Sequence, residues 1–171
     1  SETSAAVNID VAAIPVSLEP IFKTGPEDQD IPFGAKDMEN FEYGYDSMIR
    51  IVSLPADGEL LFDPLASGPD HEFAGTPMTE GEEMMLMTGL LAGELRFRPA
   101  PDFSGSVSFL WEISKAGVWS GEKAVMLTVT PVNDLPILSD ISKTGNEDTE
   151  IQFTGSDFSE AFSDIDGDIL N

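Results

Sequence analysis

Asp164-Ile165-Asp166-Gly167-Asp168 sets three carboxylates on alternate residues, with a glycine that permits a tight turn between the last two. Such a loop can converge several oxygens on one hard cation, and Ca²⁺ takes six to eight of them. It is not an EF-hand, because the twelve-residue loop with its terminal Glu is missing. A solvated acidic turn is the other reading of the same residues.

The order of the other acids bears on that choice. If the first strand of a domain runs down and the second returns, Glu27-Asp28 lies at the lower tip of a central domain. Asp102, in the loop 99–105, falls at the same end, and Asn133-Asp134 forms the linker that leaves it. Asp164, Asp166 and Asp168 then stand at the top of a following domain. Glu27, Asp28, Asp102, Asn133, Asp134, Asp164, Asp166 and Asp168 are therefore the expected ligands of a Ca²⁺ site at one junction. Glu27-Asp28 and Asp102 also read as turn acids, favoured for local hydrogen bonds. An earlier junction carries Ala12-Ala13 where the later has Asn133-Asp134, and Gly44-Tyr45-Asp46-Ser47-Met48 where it has 164–168. That junction should bind calcium weakly or not at all.

These positions are defined by a repeat. Residues 21–33 reappear as 141–153, eight of thirteen identical, at a constant offset of 141 − 21 = 120. A period near 120 suits a whole domain in tandem rather than a solenoid. The reading is three pieces: 1–12, the last strand of a preceding repeat; 13–132, a complete β-sandwich; and 133–171, the first strands of a following repeat. Ala5, Val7, Ile9 and Val11 alternate with polar residues, as strands do, and shift by 120 onto Val125, Leu127, Val129 and Pro131. Strands are expected at 49–54 and 59–62 around an Asp57-Gly58 hairpin signal, at 94–98, at 107–113 and at 124–130. Residues 82–92, with clustered Met and Leu, read as a short helix packed on the core. The expected fold class is all-β, an antiparallel immunoglobulin-like sandwich with terminal strands of flanking repeats.

Composition narrows the chemistry. A net charge of −24 argues against nucleic acid or an anionic membrane surface and suits high salt or bound cations. There is no cysteine, hence no disulfide or thiolate chemistry, and no run approaches the ~20 apolar residues of a membrane span. His71 is the single histidine, in a polar loop without a nucleophile motif or phosphate-cradling glycines, so no catalysis is expected. Residues 133–171 hold ten acids and one base, Lys143, and cannot bury a core alone. Trp111 and Trp119, with Tyr43 and Tyr45, could form a sugar- or protein-binding surface; Trp111 alternates with Phe109 and Ile113 and reads as core, so Trp119 is the better candidate, against a packing role.

Several segments together resemble the cadherin-like repeats of large secreted bacterial adhesins of the RTX type: Val132-Asn133-Asp134-Leu135-Pro136, Asn146-Glu147-Asp148-Thr149, 164–168, Leu54-Pro55-Ala56-Asp57-Gly58-Glu59-Leu60 and 95–105. The spacing from Asn133-Asp134 to Asp164 and Asp166 resembles that between linker and ligands in true cadherins. The resemblance implies interdomain Ca²⁺, secretion to the cell surface and a stalk that extends an adhesive tip. Its partners would be neighbouring repeats of the same polypeptide, with strand exchange or dimerisation open to the incomplete terminal repeat. The chain departs from the pattern at Lys115, where the family carries an Asp nearby.

Overall fold

The computed structural model describes residues 19–38, 45–64, 73–85 and 94–169. The chain divides into two compact units, up to Thr130 and from Pro131 onward. The strand expected at 5–11, the Ala12-Ala13 junction and His71 lie outside the described residues.

Among the described residues, unit 1 is built of ten strands in two sheets. The first sheet runs in the order β1 (Ile21–Pro26), β10 (Lys123–Thr130), β8 (Gly105–Lys115), β3 (Met48–Ser53), β6 (Glu83–Met85), with β9 (Val118–Trp119) hairpinned onto β8. The second runs β2 (Ile31–Pro32), β7 (Leu95–Pro99), β4 (Gly58–Phe62), β5 (Thr76–Pro77). Period-2 alternation makes the long strands: Val107, Phe109, Trp111 and Ile113 of β8 and Val125, Leu127 and Val129 of β10 point inward. They meet Leu60, Leu95 and Phe97 of the facing sheet in one core. Phe33 fills its centre, edge-on to Phe109 at 5.9 Å and tilted against Trp111 at 6.2 Å, contacts worth roughly 0.5–1.5 kcal/mol each beyond area burial.

Three expectations need correction. The first sheet is mixed rather than antiparallel, because β1 pairs in parallel with β10, Ile21 opposite Val125 through Pro26 opposite Thr130. The Asp57-Gly58 turn is no hairpin: β3 pairs with β8 and β6, while β4 crosses to β7 and β5. Turn chemistry marks the bend without saying which sheet receives the next strand. Gly58 is required there, since at φ 150° a Cβ would lie 2.4 Å from the Arg98 carbonyl oxygen. Lastly, 83–85 is strand, not helix. Met84 is buried between exposed Glu83 and Met85, a period of two over a window too short to show it; 86–93 lie outside the described residues.

Among its described residues, unit 2 is local structure without a core. β11 (Ile137–Leu138) pairs antiparallel with β12 (Phe162–Ser163), and α1 (Gly155–Ala161) leads into β12. The Asp157 carboxylate accepts the Thr154 N–H at 2.6 Å and completes the helix start. No described residue of this unit is buried, and Ile151, Phe153 and Phe158 are all exposed.

Candidate metal centre

The acidic loop is positioned by the β11–β12 ladder. Ile137 sits opposite Ser163 and Leu138 opposite Phe162, and the Ser139 N–H donates to the Ala161 carbonyl. Continuing that register towards the linker brings Asp134 opposite Asp166. The Asp134 N–H duly donates to Asp166 Oδ2 at 2.6 Å, across 32 residues of sequence. Their carboxylates present oxygens within 4.8 Å of one another.

The loop also closes on itself. Asp168 N–H donates to Asp164 Oδ1 at 3.1 Å, and Gly167 takes φ 83°, the left-handed turn its lack of Cβ allows. Asp164 Oδ2 is buried and receives no hydrogen bond. A desolvated carboxylate oxygen without a donor is costly unless a cation meets it. The Asn133 side-chain amide caps the Asp134 carbonyl at 2.7 Å. Hard, anionic oxygens on a glycine-bearing turn suit Ca²⁺. Of the expected ligands, unit 2 thus brings Asp134 and Asp166 together, with Asp164 and Asp168 in the same loop; Asn133 contributes by orienting the linker.

Glu27, Asp28 and Asp102 belong to unit 1, and its topology gathers them at one end. Glu27 follows β1 and its N–H donates to the Thr130 carbonyl at 3.0 Å, where the chain leaves β10. Because Gly105 lies opposite Val129, the β7–β8 loop with Asp102 turns at that end too. Asp28 and Asp102 both adopt left-handed backbone, φ 61° and 57°, where Asp is tolerated and serves tight turns. Glu27 itself is buried. For Asp28 and Asp102 turn geometry is thus a sufficient role within unit 1.

Trp119 is half-buried, with the Arg50 guanidinium 4.1 Å above its ring. Arg50 in turn pairs with Glu112 and, at 3.6 Å, with Glu83. The indole face on that side is occupied, which favours packing over a ligand platform.

Two further features leave little mark in the sequence. One is a buried acidic pair in unit 1: Asp63 and Glu94 are both buried, and Glu94 Oε2 has no hydrogen-bond partner. Burial first, and the neighbouring Asp63 second, push the Glu94 carboxyl above its ordinary range. The other is a clamp in each unit. Lys23 bonds both oxygens of Asp37 at 2.8 Å, and Lys143 bonds Asp157, whose carboxyl that lysine and the Thr154 backbone hold down at about 2. A signal existed, since the two pairs differ by the repeat offset, but a 14-residue spacing belongs to no regular element.

No helix among the described residues is long and apolar enough to cross a membrane. No protein-family model matches the chain, and no curated protein matches it in sequence.

Proposed function

We propose that the protein is a structural extender module, a link of a tandem array that Ca²⁺ stiffens at its joints, as in a cell-surface stalk. The observation that carries this reading is the Asp134–Asp166 approach: a ladder of two short strands delivers linker and acidic loop to one point, and Asp164 Oδ2 of the same loop is buried and undonated. Asp134, Asp164, Asp166 and Asp168 would hold the ion, which supplies charge neutralisation and a cross-link between linker and loop.

Only four peptide units separate Thr130, at the acid-bearing end of unit 1, from Asp134, a span of at most ~14 Å. Glu27, Asp28 and Asp102 stand at that end of unit 1, and the ion itself would be held by the linker and the acidic loop of unit 2. Binding there would remove hinge freedom at residues 131–134 and convert a flexible string into a rod. The strand order β1-β10-β8-β3 facing β2-β7-β4 supports an immunoglobulin-like, cadherin-like module, and extracellular display follows from the same reading, because Ca²⁺ is abundant there.

Calorimetric titration with Ca²⁺, paired with small-angle scattering in Ca²⁺ and in EDTA, tests it. Saturable binding with a longer, narrower scattering profile is expected. Absence of binding heat, or an unchanged maximum dimension, rejects the reading.

A further inference from the structure

The outer face of the second sheet carries a strap. Residues 73–77 run along the β4 edge and end in β5, with Leu61 opposite Pro77 and Phe62 opposite Thr76. Gly75 lies so close that a Cβ would fall 3.0 Å from Leu61 Cβ and 2.5 Å from the Phe73 ring. Phe73 in turn stacks on Arg96, 4.0 Å from guanidinium to ring. Leu61, opposite Arg96 in the ladder, is therefore buried although it stands outside the central core.

Two acids continue that face. The β4–β7 ladder runs from Gly58 opposite Pro99 to Phe62 opposite Leu95. The Asp63 N–H donates to the Glu94 carbonyl at 3.0 Å and adds one more pair, Asp63 against Glu94. Alternation sets Asp63 two residues on from Leu61, and Glu94 two residues before Arg96, on the strap's side of the sheet. The two acids are 5% and 3% exposed. Asp63 is tied to the strap, because its Oδ2 accepts the Ala74 N–H at 2.8 Å. Glu94 Oε2 has no hydrogen-bond partner, and neither has the buried Nε of Arg96.

The other charges of the face do not relieve the pair. Arg98 is held by Asp30 through two hydrogen bonds, 2.7 and 2.9 Å, and lies opposite Glu59. The strap, Phe73-Ala74-Gly75-Thr76-Pro77, has no titratable side chain. Like charges directly opposite in a ladder repel, and burial raises the cost of ionising both. One carboxyl must be neutral. The Ala74 N–H favours the charge on Asp63, which leaves the proton to Glu94.

We propose that Asp63 and Glu94 form a proton-gated latch for the strap 73–77. With one proton on the pair, Asp63 keeps its bond to Ala74 and the strap stays down. When Glu94 releases that proton, two opposed carboxylates face each other, and water reaches them if the strap lifts. The strap is the weaker side: β5 has two ladder pairs, one of them a proline with no N–H to give, whereas β4 and β7 share five pairs and the core residues Leu60, Leu95 and Phe97. Burial and the neighbouring Asp63 hold the Glu94 carboxyl above its ordinary range. The latch is thus complete below that ordinary range and opens as pH rises through the raised value. It is independent of the calcium reading above.

NMR of the whole chain across a pH series, in EDTA so that no cation replaces the proton, tests the latch. Three signals are followed together: the Glu94 carboxyl, the Ala74 amide protection corrected for intrinsic exchange, and the Overhauser contact between Phe73 and Arg96. In the parent, Ala74 protection should fall by roughly tenfold or more across the Glu94 titration, and the ring contact should fade at the same midpoint. Glu94→Gln, a neutral side chain of the same shape, should keep both at every pH. Asp63→Asn should lower the Glu94 carboxyl part of the way, because burial remains. Protection and contact that ignore the Glu94 titration overturn the proposal, and the parent series decides this without any variant. A fall that persists with Glu94→Gln overturns it equally.

Discussion

Asp166→Asn separates a cation site from a merely acidic turn, because the two differ in the sign of its effects. Asp134 and Asp166 hold carboxylate oxygens within 4.8 Å. Two unit charges at that separation repel by roughly 0.9 kcal/mol in a water-like dielectric and about 3.5 kcal/mol at the effective value near a protein surface. With a Debye length of about 8 Å at physiological ionic strength, salt removes only part of this. Asn keeps an oxygen that can accept the Asp134 N–H, now 2.6 Å away, so charge changes more than shape. In EDTA the substitution should therefore relieve about 1–3 kcal/mol of repulsion and slow exchange of the Asp134 amide. In Ca²⁺ it should weaken binding at least tenfold, about 1.4 kcal/mol, because a doubly charged ion at ~2.4 Å gains more from a carboxylate than the two carboxylates lose to each other. Calorimetry reads the affinity and amide exchange reads the loop. A calcium affinity within twofold of the parent, or an Asp134 amide indifferent to the substitution in EDTA, would refute the reasoning.

Other outcomes follow from single contacts. Gly58→Ala should cost about 2–3 kcal/mol through strain and overlap, since the new Cβ meets Arg98 O and the Phe97 ring. Gly81→Ala, at φ 81° in open space, should cost only about 1–2 kcal/mol; denaturation followed by Trp111 fluorescence compares them, and equal costs would count against the close approach. Glu94 is raised in the folded protein, so between its ordinary pKa and the raised one the unfolded chain has released a proton the native one keeps, and stability falls as pH rises. Glu94→Gln should abolish that fall and stabilise unit 1 near pH 7 by about 1 kcal/mol; an unchanged pH profile of unfolding argues otherwise. Asp157 is depressed to about 2, so its clamp is intact above pH 4 and is lost as pH falls through about 2. Lys143→Met should raise the Asp157 carboxyl, titrated by NMR, only part of the way towards the ordinary carboxylate range, because the Thr154 hydrogen bonds remain; no rise at all would count against the clamp. Trp119→Ala should lower stability by roughly 0.5–2 kcal/mol through the lost Arg50 stacking; loss of glycan binding on an array would instead revive the surface role.

The long strands were legible because burial on one face writes itself as alternation: Val107-Phe109-Trp111-Ile113 and Val125-Leu127-Val129 name both strand and inner face. Partners were not. Nothing in Ile21-Phe22-Lys23-Thr24 says that this strand joins the sheet in parallel, because the reason lies in the turn at 27–30. There a left-handed Asp28 sends the chain to the opposite sheet at Ile31. The acidic loop is legible in its residue types, and the sequence alone shows the spacing from Asn133-Asp134 to Asp164 and Asp166. The register that makes that spacing meaningful, Ile137 opposite Ser163, rests on two-residue strands too short to leave a pattern. The buried Glu94 gave no signal, since an acid in an alternating strand reads as solvent-facing.

Unit 2 also shows how a segment with no buried residue among those described keeps an acidic loop in shape. Lys143 is bound by Asp157 and by the Gln152 carbonyl, the helix start is satisfied by Asp157, and the linker is tied to the loop by Asp134. Those bonds are local or charge-assisted and need no buried surface. The corresponding segment of unit 1 is built for something else. Asp46 is exposed and Ser47 is fully buried where the later copy has Asp166 and Gly167, so one acid remains of three and the flexible turn residue has become core. A cation cannot recover six oxygens from that segment, while packing already fixes it. On the proposed reading the later segment would answer to Ca²⁺ through Asp164, Asp166 and Asp168, whereas Ser47 of the earlier one is held by burial.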